Sequence, residues 1–181
     1  MRQKTLAELA RVDAATAKAQ ERTALTLVLE NLRSGGNVGS IFRTADAFSL
    51  ARLVLVGITP QPPHREILKT SLGAEAAVPW AYYPTVEEAL DALRQNGARV
   101  LALEQTTESR DLHTLHPSEG PSGSEPLALV VGNEVRGVTQ AALDLCDGAV
   151  EIAQYGLKHS LNVSVAAGIV AYWAASSRSR L

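Results

Sequence analysis

A single cysteine, Cys146, excludes an intrachain disulfide and a cysteine-based zinc site, and its expected role is that of a small buried hydrophobe. Aromatic residues make up only 4% of the chain, sparse for a protein that grips nucleic-acid bases by stacking. The formal net charge is −2, so the overall field draws in no polyanion, and such a partner has to meet a local cluster of arginines. The opening MRQKTLAELA has no apolar core of the signal-peptide kind, and no hydrophobic run approaches bilayer thickness; the expectation is a cytoplasmic protein with no membrane partner. What is present is a soluble, globular balance. Hydrophobic residues are 46% and charged residues 20% of 181, enough for one domain with a sizeable core, or one domain with a small extension.

The apolar runs LTLVL (25–29), RLVLVG (52–57), ARVLAL (98–103), PLALVVG (126–132) and GAVEIA (148–153) read as strands buried on both faces, because they are rich in Val and Leu without strict alternation. Between them lie helix signals. Val38, Ile41, Phe42 and Ala45 recur at helical spacing, and Thr85 with Glu88 forms a capping box ahead of Ala89, Leu90 and Leu93, stopped at Gly97. Alternating strand and helix predicts an α/β fold with a mostly parallel sheet flanked by helices. Thr5 and Glu8, with Leu6, Leu9, Ala10 and Ala17, predict a helix over residues 5 to about 22, which gives a helical extension over 1–24 and a main domain over 25–181. The segment LNVSVAAGIVAYWAAS (161–176) is apolar on nearly every side and is expected to be a helix enclosed by partners. Residues 57–66 and 104–125 read as loops, the second long enough to serve as a lid or to be partly disordered.

Three polar segments punctuate this pattern. SGGNVGS (34–40), between a strand and a helix, suggests a phosphate cradle, yet it has neither the Lys-Ser/Thr of a P-loop nor the G-x-G-x-x-G order of a dinucleotide fold. A plain strand-to-helix turn, with Asn37 as N-cap and Arg43 as a solvated charge, accounts for it equally well. GNEVRG (132–137) follows the most apolar strand and sets Gly132, Asn133 and Glu134 at its carboxyl end, where open α/β sheets form ligand crevices. KHSLN (158–162) opens the last helix; capping explains Ser160 and Asn162 as well as chemistry does, and His159 reads as structural.

Taken in order, NVGSIFRTAD (37–46), GNEVRG (132–137) and SLNVSVAAG (160–168) resemble the three motifs of the SpoU-type, or TrmH-like, RNA ribose 2′-O-methyltransferases of the SPOUT superfamily, and the resemblance covers about residues 25–177. It implies a C-terminal trefoil knot, an exception to the rule that chains do not thread their own loops. It implies S-adenosyl-L-methionine as cofactor, held at Leu103, Gly132, Ile152, Ser160 and Leu161, positions suited to apolar walls with a few backbone donors. It assigns the reaction, methyl transfer to a ribose 2′-hydroxyl, to Arg43 supported by Asn37, with Glu134 and Asn162 shaping the site. Arg43 lies about 9 Å along the helix axis from Asn37, and its side chain leans back toward the N-terminus. A guanidinium stays charged, so Arg43 reads better as a phosphate ligand and alkoxide stabiliser than as a base, with that second role left open. The resemblance also implies a homodimer whose Arg43 serves the neighbouring subunit's site. Arg33, Arg43, Arg136 and Lys158, with Arg65 and Lys69 nearby, are the expected RNA-facing cations. Transfer RNA is favoured over ribosomal RNA, because compact relatives commonly act there. Two other readings compete: an RNA-binding module of the same fold without catalysis, and a small-molecule enzyme that binds phosphate at SGGN.

Overall fold

The computed structural model describes residues 1–5, 22–115, 119–120, 126–157 and 160–178. The helix expected over residues 5–22 falls almost wholly outside these residues, as does the greater part of the extension over 1–24, and Lys158 and His159 lie outside them too. Among the described residues the strands are β1 (Thr23–Glu30), β2 (Leu50–Val56), β3 (Trp80–Tyr83), β4 (Arg99–Leu103), β5 (Arg110–Asp111), β6 (Leu127–Val131) and β7 (Ala149–Glu151). The helices are α1 (Gly35–Ala47), α2 (Arg65–Ser71), α3 (Ala74–Ala77), α4 (Val86–Gln95), α5 (Gln140–Leu145) and α6 (Val163–Arg178). The strands form one seven-stranded sheet in the order β3-β2-β1-β6-β4-β7-β5, and every pairing is parallel. All five apolar runs read as strands are present in it.

The period of two along the central strands sorts the core by size. Leu25, Leu27 and Leu29 of β1, Leu53 and Leu55 of β2, and Leu127 and Leu129 of β6 face one side, against Val38, Ile41 and Phe42 of α1 and Ala167, Val170 and Ala171 of α6. Val28, Val54, Val56, Ala128 and Val130 face the other, against Ala89, Leu90 and Leu93 of α4 and Ala142 of α5. Full burial of each such Leu or Val contributes about 1.5–3 kcal/mol, so both layers are held mainly by this sheet.

The structure bears out some of these expectations and revises others. Ser34, not Asn37, is the N-cap of α1: its backbone is extended and its hydroxyl accepts from the Asn37 N–H at 3.2 Å. The proline-rich segment 57–66 is loop over residues 57–64, as expected, and only its last two residues open α2, capped by His64, whose ring nitrogen Nδ1 accepts from the Glu66 N–H at 3.3 Å. The segment 104–125 is not all loop, since it carries β5 and a 3-10 turn, Leu112–Thr114. Helix α6 is buried on one side only: Ala167, Val170, Ala171 and Ala174 are inaccessible, but Val165, Ile169 and Tyr172 are 51%, 38% and 64% exposed. Cys146 is half-buried, and burial pushes its thiol up to about 11, which keeps it protonated at neutral pH.

Two of the three glycines of SGGNVGS, Gly35 and Gly39, serve packing. A Cβ on Gly39 would overlap the Thr70 hydroxyl and the Ile67 carbonyl, and one on Gly35 would crowd the His64 ring. Their absence lets α2 lie close on α1, where the single proton of the Thr70 hydroxyl has the Gly36 and Glu66 carbonyls as acceptors, both at 3.1 Å.

Candidate active site

Three polar segments converge at the carboxyl ends of β1, β4, β6 and β7. The sheet order places β1 beside β6, although the chain runs from β1 out to β2 and β3 before returning. Such a reversal leaves a crevice between the strand ends.

Glu134 joins the first two segments. Its carboxylate accepts from the backbone N–H groups of Arg33 at 3.1 Å and Ser34 at 3.2 Å, and from the Asn37 amide at 3.1 Å. It thus fills the positive N-terminus of α1. An anion does sit at the glycine-rich turn, and it is supplied by the protein's own chain. Partial burial alone pushes the Glu134 carboxyl up, but the N–H groups of Arg33, Glu134 itself and Ser34, with the Asn37 amide, outweigh it and hold the group below the usual carboxylate range. Asn133 strengthens the same join: its amide donates to the Asn31 carbonyl at 2.7 Å, and its oxygen accepts from Val135 and Arg136 N–H at 2.9 and 3.2 Å.

Asn162 brings in the third segment. Its amide donates to the Asn37 oxygen at 3.2 Å, while its own oxygen accepts from the Ser164 N–H at 2.9 Å and hydroxyl at 2.6 Å at the entry to α6. Glu134, Asn37 and Asn162 therefore form one continuous chain of hydrogen bonds.

Beside this chain lies a cavity of about 720 Å³ whose lining includes Leu103, Gly132, Ile152, Ser160 and Leu161, together with Glu134, Asn162 and Arg136. All five positions matched to cofactor binding in the sequence thus border one space. Val131, Val163 and Ala166 add apolar wall, and Glu104, Glu151 and Gln154 add polar groups. Sequence reasoning passed over Glu104 and Glu151. The Glu104 carboxylate accepts from the Val138 N–H at 2.9 Å and the Gln105 N–H at 2.9 Å, and Glu151 accepts from the Ser109 hydroxyl at 2.5 Å. Gly137, at φ 68°, leaves room for Glu104 that a Cβ would fill. The only available signal was their position at the ends of β4 and β7.

Arg43 does not line this cavity. It is exposed on α1 and borders a separate depression with Lys69 and Thr70. Arg33, Arg65 and Arg136 are exposed near the strand ends or on α2. Among the described residues no three His, Cys, Asp or Glu side chains group as metal ligands, and no helix is long and apolar enough to cross a membrane.

A parallel α/β sheet with a cleft at its switch point, walled in part by apolar side chains and edged by carboxylates, is the arrangement that nucleotide-cofactor-binding proteins use. The family described as the SpoU rRNA Methylase family matches residues 24–172, and the chain belongs to it. It is 32% identical over 178 residues to the tRNA (guanosine(18)-2′-O)-methyltransferase of Thermus thermophilus, covering 98% of this chain and 87% of that protein. The AdoMet-bound rRNA methyltransferase of Sinorhizobium meliloti superposes with a TM-score of 0.76 at 30% identity, over 85% of this chain and 56% of that one. The SpoU methyltransferase AviRb of Streptomyces viridochromogenes, solved with AdoMet, gives 0.76 at 27% identity, over 88% and 59%. The chain thus spans little more than half the length of these two solved relatives.

Proposed function

We propose that the chain methylates a ribose 2′-hydroxyl of RNA with S-adenosyl-L-methionine as donor, acting on transfer RNA in preference to ribosomal RNA. The observation that carries this reading is the joining of Asn37, Glu134 and Asn162 into one hydrogen-bonded unit beside a single cavity bordered by Leu103, Gly132, Ile152, Ser160 and Leu161. The residues fit the donor. The cavity's volume falls within the usual range for small-ligand sites, the walls are apolar for an adenine, and Glu104 and Glu151 complement a cationic sulfonium and ammonium. When bound, the donor supplies an electrophilic methyl group.

The chain's own residues do the rest. Glu134 and Asn162 hold Asn37 in one orientation, and Asn37 is thereby available to fix the entering ribose. Arg43, whose guanidinium stays charged, stabilises the negative charge that develops on the 2′-oxygen as its proton passes to water. Arg33, Arg136 and Lys158 meet phosphates. The apolar stripe of Val165, Ile169 and Tyr172 on α6 supports a homodimer, in which Arg43 of one chain serves the cavity of the other; this accounts for its distance from its own. A C-terminal trefoil knot, a main domain over 25–181 with a helical extension over 1–24, and a cytoplasmic setting complete the proposal. The high mutual coverage with the Thermus tRNA enzyme supports the preference for transfer RNA. Phosphate binding at SGGN is disfavoured, because Glu134 already occupies that helix end.

The test is mass spectrometry of nucleosides after incubating transcribed transfer and ribosomal RNA with the protein and donor. A 2′-O-methylnucleoside is expected from the wild type. Arg43→Lys keeps the charge but not the planar fork and is expected to lose about 10²–10³ in single-turnover rate. No product from either RNA, or near-normal turnover by the lysine variant, contradicts the proposal.

A further inference from the structure

Among the described residues Glu30 is the one acidic or basic side chain that is buried, at 1% exposure. It ends β1, directly before the turn that leads to Asn37, and it lines neither the cavity nor the depression beside Arg43. Its two oxygens accept from Thr139, from the backbone N–H at 3.0 Å and from the hydroxyl at 2.5 Å. Thr139 is also the N-cap of α5, its hydroxyl oxygen accepting from the Ala142 N–H at 3.2 Å. An apolar residue of the same volume would hold the end of a strand at least as well as a buried acid does. What Glu30 adds is a fixed place for Thr139.

Thr139 stands at one foot of the loop that carries Glu134. Residues 132–138 form a closed unit: Asn133 and Gly137 exchange backbone hydrogen bonds at 3.0 and 2.9 Å, and a Cβ on Gly132 would overlap the backbone of Gly137 and Val138. The first foot is tied by the Asn133 amide to the Asn31 carbonyl at 2.7 Å. The second is tied through Thr139 to Glu30, the residue before Asn31. Both feet thus rest on the segment that continues into α1, and at the tip Glu134 reaches Arg33, Ser34 and Asn37 of that same segment. A unit closed on itself carries a shift of its foot to its tip. The three bonds of Glu134 are 3.1–3.2 Å long, so a displacement of about 0.5 Å takes them beyond hydrogen-bonding range.

We propose that Glu30 is a positioning residue for methyl transfer: through Thr139 it sets the loop 132–138 on the N-terminus of α1, and with it the orientation in which Glu134 holds Asn37. This rests on the methyltransferase reading above. Glu30 touches neither donor nor RNA and acts on the rate through Glu134.

The test measures single-turnover methylation of a transfer RNA transcript at saturating donor, with KM for RNA and urea unfolding in parallel. The variants are Glu30→Gln, Thr139→Val, Thr139→Ser, Glu134→Gln and the double variant Glu30→Gln with Glu134→Gln. Val28→Ala, two residues earlier on the same face of β1, controls for lost stability alone. Glu30→Gln is expected to slow the reaction about tenfold, the worth of one buried hydrogen bond lost, with KM for RNA unchanged. Thr139→Val removes the same contact from its other side and is expected to do the same, which keeps the test intact should Glu30→Gln not fold. Thr139→Ser keeps both bonds and the wild-type rate, and Val28→Ala lowers the urea midpoint at least as far while keeping that rate. Added to Glu134→Gln, Glu30→Gln slows the reaction no further, since the tie it loosens is already cut. Wild-type rates in Glu30→Gln or Thr139→Val overturn the inference alone, as does a slowing matched by Val28→Ala or a full multiplicative loss in the double variant. A wild-type chain that methylates neither transfer nor ribosomal RNA overturns the functional reading, and the inference with it.

Discussion

Glu134→Gln removes one negative charge from the N-terminus of α1 while keeping the length of the side chain. The wild-type carboxylate accepts from Arg33 N–H, Ser34 N–H and the Asn37 amide through its two oxygens. Glutamine offers one oxygen and turns an NH₂ toward the remaining donors, so at least one of them is left to water. A carboxylate at an exposed helix N-terminus contributes about 0.3–1 kcal/mol, and trading charge-assisted for neutral hydrogen bonds removes about 0.5–1 kcal/mol more at a partly hydrated site. The expected loss is about 1–2 kcal/mol, or about 2–8 °C in Tm for a chain of this size. Urea unfolding at pH 7 reads it as a lower midpoint at unchanged m.

The sign of the pH dependence follows from the lowered carboxyl. A group whose folded pKa lies below its unfolded value adds stability that is complete above the unfolded value and is lost as pH falls through the folded one. The gap between wild type and Glu134→Gln is therefore constant from neutrality down to about pH 5 and closes below about pH 4. Equal midpoints at pH 7, or a gap that persists undiminished in acid, would refute the reasoning.

Three further substitutions probe two separate features. Gly39→Ala is expected to destabilise by about 1–3 kcal/mol despite the better helix propensity of alanine, because its Cβ meets the Ile67 carbonyl and the Thr70 hydroxyl, whereas Gly36→Ala, which meets only Ser34 Oγ at 3.5 Å, is neutral or stabilising; thermal unfolding that ranks them the other way counts against the packing role. Ile169→Glu, at an exposed position on α6, is expected to shift sedimentation from dimer to monomer without loss of fold, and a wild type that sediments as a monomer removes that part of the proposal.

The central strands were legible in the sequence because a parallel strand covered on both faces must be apolar throughout, as LALVV of β6 is. The edges were not. WAYY of β3 is half-exposed and only four residues long, and β5 is two residues within a polar segment. Helices α2 and α5 were missed for a related reason: they run seven and six residues, too short to display a stripe. At the candidate site, spacing pointed to an anion at SGGNVGS, and only the folded chain shows Glu134 providing it from 97 residues beyond Asn37. The bond from Asn162 to Asn37 spans 125 residues, a pairing that no local pattern encodes. The resemblance to SpoU enzymes gathered these residues into one group, and the fold supplied the bonds between them. Helix α6 is apolar both on the face turned to the core and on the face left open within one chain, and hydropathy alone does not say what covers the second.

Calorimetric titration with S-adenosylhomocysteine addresses the donor cavity itself. Saturable binding of one molecule per chain is predicted, absent with ATP and abolished by Leu161→Asp, which places a carboxylate in the cavity wall at a position already exposed to water. No saturable heat from the wild type, or undiminished affinity in that variant, would contradict the account.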